Sequence, residues 1–165
     1  MVLEKLRNLC LSLVFTLILS GCGVYSFSGS MSSGIESVAV PVFENESVEY
    51  GIAEDLTSGV IEGFVADNTL KVISRSKADA VLEGIILSYD RSAYTYDEND
   101  QVQEYKVNIT AKVRLSKSDG SPVWEEESLT GYGIYSADDE TEEEGKSRSI
   151  EKIAEDIVNR TVKDW

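Results

Sequence analysis

The chain has 165 residues, with 30 acidic against 15 basic side chains and a formal net charge of −15 at pH 7. That balance excludes a binder of nucleic-acid backbones, which needs a basic stripe, and argues against a protein that lies flat on anionic lipid. The sequence contains no histidine and only two cysteines, so the commonest general base, the commonest zinc ligand and every Ser-His or Cys-His arrangement are missing.

Lys5 and Arg7 make a positive N-terminal region, followed by an uninterrupted apolar or small run from Leu9 to Leu19. Its length suits a signal-peptide core of ~7–15 residues and falls short of the about 20 needed to cross a bilayer. The run closes on Leu19-Ser20-Gly21-Cys22, which resembles the bacterial lipobox. That resemblance implies removal of residues 1–21, diacylglycerol on the Cys22 thiol and acylation of the new amine, a firm anchor in a membrane. Cys10 leaves with the signal, so no thiol remains for a disulfide, a metal site or a nucleophile. Residues 22–35 are rich in Gly and Ser and read as a flexible tether. Gly23 stands where some lipoproteins carry an acidic retention residue, which by analogy favours the outer membrane. Residues 36–165 are predicted to form one domain.

Within the domain, Ser37–Phe43 is a short β-branched run, a first strand that Pro41 places at an edge or bends. Ile52, Leu56, Val60 and Phe64 recur every four residues and predict a helix with one apolar face. Gly59 and Gly63 are expected to let that helix sit close on a sheet, and Asn68 to cap it. Leu70–Ser74 returns as a second strand, which makes the opening third a parallel βαβ unit. Ala80–Tyr94, apolar on both faces, predicts a central strand. In Val102–Leu115 the residues Val107, Ile109, Ala111, Val113 and Leu115 alternate with Lys106, Asn108, Thr110, Lys112 and Arg114, the pattern of a sheet with one wet face. Asp97–Asp100 is the intervening hairpin tip, Asp119-Gly120 opens the next turn, and Pro122–Ile134 completes the meander.

The acidic run Asp138–Glu144 reads as a helix start, because Thr141 and Glu144 have capping-box spacing and negative charge suits the first turn. Gly145 is expected to delay ordered helix to near Ser147. The face beyond it carries Ile150, Ile153, Ala154, Ile157, Val158, Thr161 and Trp165. The fold class is α/β of α+β character, a single domain with a mixed sheet of four to five strands and two helices.

Four cations stand out in so acidic a chain: Lys106, Lys112 and Arg114 on one face of one strand, with Arg91 at the end of the strand before. They suit the phosphates of an amphiphile or an acidic partner surface. Equally, they suit cross-strand pairs with Glu125, Glu127 or Glu83. Tyr94, Tyr96, Tyr132 and Tyr135 gather at the expected sheet ends and are candidate partner contacts. Asp97–Asp100 lacks the ligand spacing of a calcium loop, so no metal site is expected. No cofactor is expected beyond the lipid on Cys22.

Cys22–Phe27, Ser37–Asn45, Ala78–Ile86 and the stretch from Val123-Trp124-Glu125 to Gly131-Tyr132-Gly133 occur in this order ahead of the acid-capped helix. Together they resemble the LPS-assembly lipoprotein family LptE. The resemblance implies two helices packed on one face of a mixed sheet. It further implies a non-catalytic role as plug and assembly aid inside an LptD-type outer-membrane barrel, with lipopolysaccharide as a ligand. Other small envelope lipoproteins offer an alternative of a different kind, regulators resembling activators of peptidoglycan synthases or curli-type secretion subunits. An envelope enzyme is disfavoured by the missing histidine and thiol.

Overall fold

The computed structural model describes residues 34–163; the signal, Cys22, most of the tether and Trp165 lie outside the described residues. In chain order the elements are β1 (Ser37–Ala39), β2 (Glu44–Asn45), α1 (Ile52–Asp67), β3 (Lys71–Val72), β4 (Ala80–Tyr96), β5 (Val102–Lys117), β6 (Pro122–Ser136) and α2 (Glu142–Lys163). They form a six-stranded sheet in the order β3-β1-β4-β5-β6, with β2 also on β4. β1 runs parallel to β3 and β4, β2 runs parallel to β4, and β4, β5 and β6 form an antiparallel meander. Both helices cover the same face.

The strand count exceeds the expected four to five by one because of Pro41. With no N–H to give a ladder, it interrupts the apolar run, which splits into β1 before it and the two-residue β2 after it. The expectation of an edge position is corrected, since β1 lies between β3 and β4.

α1 buries Ile52, Leu56, Val60 and Phe64 as its period predicts, each such side chain contributing about 1.5–3 kcal/mol relative to exposure. Asn68 ends it in the left-handed region at φ 59°, its N–H donating to the Phe64 carbonyl. Gly59 and Gly63, however, face α2 and not the sheet. A Cβ at Gly59 would lie 2.7 Å from Ile150 Cγ2, and one at Gly63 would lie 3.1 Å from Val158 Cγ2.

The start of α2 also differs from expectation. The helix is ordered from Glu142, its Thr141 N–H donating to Glu144 Oε2 at 2.7 Å and the Glu144 N–H to Thr141 Oγ1 at 3.4 Å. Gly145 does not delay it, because that glycine is where the helix lies against β6. A Cβ at Gly145 would meet the Tyr135 ring, one at Gly133 would run into the Gly145 carbonyl oxygen, and one at Gly131 would strike Ile153. Ser149, fully buried, donates from Oγ to the Gly131 carbonyl at 3.0 Å.

The glycines that face α2 differ in what an added methyl would meet. Gly133→Ala is expected to destabilise the domain by roughly 3 kcal/mol, because backbone must move. Gly63→Ala, which meets a single valine methyl, costs less, and urea melts of the two variants check the order. At the joint between β6 and α2, Glu140 is held down to about 2 from 4.5, chiefly by the Arg148 guanidinium and next by the Ser136 N–H. A carboxylate depressed in the folded state stabilises above its unfolded value and loses that contribution as pH falls through the folded one. The wild type is therefore expected to weaken between pH 4.5 and about 2, and Glu140→Gln to be less stable at neutral pH with a flatter acid limb, read by circular dichroism.

Candidate binding surfaces

The outer face of the sheet carries the basic stripe. On β5 the side chains of Val107, Ile109, Ala111, Val113 and Leu115 are wholly buried beneath the helices, which leaves Lys106, Lys112 and Arg114 on the far side. Lys112 Nζ lies 3.0 Å from Glu125 Oε1 and 2.8 Å from Glu127 Oε1, and Arg114 Nη2 lies 3.5 Å from Glu125 Oε2. The hydrogen bonds that the Lys112 ammonium donates to Glu127 and Glu125 hold it above its ordinary value, and Lys112 in turn holds Glu125 below its own. Glu83 stands in register with Arg114 but pairs with Arg75, Nη2 to Oε1 at 2.8 Å. Arg75, Lys112 and Arg114, with Pro41, Val42 and Ile85, line a cavity of about 370 Å³. Arg75 escaped notice in the sequence because it sits in the turn between β3 and β4, where no periodicity assigns a face.

Lys106 is different. Its ammonium lies 4.7 Å from the Tyr132 ring centroid and 5.9 Å from that of Tyr94, with no carboxylate partner among the described residues. These two tyrosines and Tyr96 are exposed, as a partner contact requires.

Arg91 does not join the stripe. Between Ile86 and Ser88 the β4–β5 register shifts, and a one-residue slip exchanges the two faces of everything beyond it. Tyr89 and Arg91 therefore oppose the buried Ile109 and Val107 and turn toward the helices. There the Arg91 guanidinium lies 3.8 Å above the Tyr105 ring, its Nε donates to Tyr135 Oη at 2.5 Å and approaches Glu142 Oε2 at 3.4 Å. Tyr89 Oη donates to Glu142 Oε1 at 2.8 Å, and burial together with that carboxylate pushes the phenol above its ordinary value. Tyr135, expected at a partner surface, is 4% exposed and stacked on Tyr105 at 5.5 Å beneath α2. It is a structural residue.

A third cluster is centred on Lys146, which is 7% exposed although charged. Its ammonium reaches Glu143 at 2.8 Å, Glu49 at 3.2 Å and Asp55 at 3.9 Å. Burial works to lower it, but the hydrogen bonds to Glu143 and Glu49 outweigh burial and hold it above its ordinary value. The signal for this burial was present, since Lys146 precedes Ile150 by one helical turn and extends the buried stripe.

Among the described residues no group of three or more acidic or cysteine side chains is placed to hold a metal ion, and no helix is long and apolar enough to cross a membrane.

A family model described as LptE, Lipopolysaccharide-assembly, matches residues 35–161. In fold the chain is similar to the hypothetical protein CT253 from Chlamydia trachomatis, at a TM-score of 0.53 and 10% identity over 77% of this chain and 95% of that one. It is similar also to protein XCC0632 from Xanthomonas campestris, at a TM-score of 0.51 and 12% identity over 76% and 82% of the two chains. At such identities the likeness concerns the fold alone. No curated protein matches the chain.

Lys146→Met is expected to release the loop between β2 and α1, because Glu49 loses the cation that holds it. Amide hydrogen exchange at residues 46–51 should accelerate at least tenfold while β5 stays protected.

Proposed function

The chain belongs to the LptE lipopolysaccharide-assembly family, and from that premise we propose that it is a non-catalytic subunit of the lipopolysaccharide translocon. In this reading Cys22 anchors it to the inner surface of the outer membrane and the domain sits in an LptD-type barrel as plug and assembly aid. The observation that carries the reading is the family match itself, which spans nearly the whole described domain.

The surface chemistry supports it. A wide barrel has a polar lumen, and a plug needs outer faces that water wets. On the exposed side of the sheet Lys112 and Arg114 are matched by Glu125 and Glu127, with Asn108, Thr110 and Thr130 beside them. The absent histidine agrees with a role in binding and assembly.

Lys106, Lys112 and Arg114 are the residues we assign to lipopolysaccharide phosphate, and Tyr94, Tyr96 and Tyr132 to the barrel. Ion pairs this exposed are weak, so an incoming phosphate can displace a glutamate.

Three outcomes test the proposal. Metabolic labelling with palmitate should mark the wild type and not Cys22→Ser. Gentle detergent extraction should recover an outer-membrane barrel with the lipoprotein, whereas recovery of the lipoprotein alone, with lipopolysaccharide export intact in a deletion strain, refutes the translocon role. Lys112→Glu with Arg114→Glu should weaken lipopolysaccharide binding without unfolding the domain; unchanged affinity returns both residues to their cross-strand pairs.

A further inference from the structure

The loop between β2 and α1 inverts the usual polarity of a loop. One of its two charged residues, Glu49, faces inward onto the buried Lys146 at 3.2 Å, while its neighbours Val48 and Tyr50 face outward, 95% and 97% exposed. A single exposed apolar side chain is ordinary. Two of them, on either side of a residue that is pinned to the core, are not, because neither gains anything from the fold.

The loop is also stiff. Glu46 donates its N–H to the Ile86 carbonyl at 2.9 Å. Asn45 Oδ1 accepts from the Ser47 N–H at 2.9 Å and from Ser47 Oγ at 2.7 Å. Asn45 Nδ2 donates to the Glu49 carbonyl at 2.8 Å, and the Glu49 N–H donates to Ser47 Oγ at 3.2 Å. Gly51, at φ 79°, then turns the chain into α1. Such a loop presents Val48 and Tyr50 in one arrangement before any partner arrives, which lowers the ordering cost of binding. A tyrosine adds contact area with only two torsions to fix.

Charge selects the occupant. Glu46 and Glu54 flank the two residues in sequence, are exposed, and have no ion-pair partner among the described residues. The lysine beneath the loop is buried and already shared by three carboxylates. Anionic lipid would be repelled, and so would the same acidic loop of a second copy in a two-fold contact.

We propose that Val48 and Tyr50 form a preorganised knuckle that inserts into an apolar pocket with a lysine- or arginine-lined rim on the barrel partner. This rests on the translocon reading above and assigns the contact by which the domain docks.

The test uses the full-length lipoprotein in its own outer membrane, extracted in mild detergent, with the recovered barrel quantified per lipoprotein. Val48→Ser with Tyr50→Ser should melt as the wild type does, since neither side chain packs on the domain, and recover at least tenfold less barrel. Glu46→Lys should lower recovery severalfold. Benzoylphenylalanine in place of Tyr50 should crosslink to the barrel on illumination. Wild-type recovery by the double variant overturns the knuckle while the translocon reading stands, and unchanged recovery by Glu46→Lys overturns the basic rim. Crosslinks only to lipid or to a second copy of the chain assign the knuckle to those occupants and refute the proposal. If the wild type itself recovers no barrel, the translocon reading fails and takes this inference with it.

Discussion

Helix α2 rests on the backbone of β6 at two glycines. Gly131 and Gly133 occupy successive core-facing positions of the strand, the helix meets them at Ser149–Ile153 and at Gly145, and a Cβ at any of the three glycines has no room. The rest of the layer depends on that approach. Ile153 and Ser149 come down onto the strand, with Ser149 Oγ bonded to the Gly131 carbonyl, and Tyr135 slides under the helix at Gly145. α1 then packs on α2 through Gly59 and Gly63, which receive the side chains of Ile150 and Val158. Where the interior is close-packed and the contact is backbone on backbone, there is no rotamer with which to absorb an added methyl.

Local patterns in the sequence were legible in proportion to how little they depended on distant residues. The alternation of β5, the four-residue period of α1, the Asn68 cap and the Thr141–Glu144 box each arise within one element, and each is found where the residues predict it. What was not legible depended on register. The shift after Ile86 turns Arg91 from the outer face to the helix face, and nothing in the residues of β4 announces it. Tyr135 reads as an end-of-sheet tyrosine until α2 is laid across it. Gly145 reads as a helix breaker for the same reason, because its value lies in what it faces.

The basic stripe shows how a charge pattern acquires meaning only from its neighbours. Lys106, Lys112 and Arg114 are equivalent in sequence, yet two sit among glutamates and the third lies over tyrosine rings. An anion meets different costs at the two ends. At Lys112 it must displace a carboxylate, whereas at Lys106 it meets a cation that lies over aromatic faces and has no carboxylate partner among the described residues. Lys106 is therefore the residue of the three where a phosphate competes with least.

The exposed loop and the buried glycines are not independent features. Gly145 and Lys146 are adjacent, so the glycine that lets α2 down onto β6 also sets the height of the ammonium that holds Glu49. A helix start displaced outward by one methyl would carry Lys146 away from Glu49, leaving the loop held by β2 on β4 and by the Glu46–Ile86 hydrogen bond. The acid-rich first turn contributes to the same end, since Glu143 is both a favourable charge at the helix N-terminus and the nearest partner of Lys146. The loop that carries Val48 and Tyr50 is thus held from two sides, by Lys146 of α2 through Glu49 and by β4 through the Glu46 N–H and the Ile86 carbonyl.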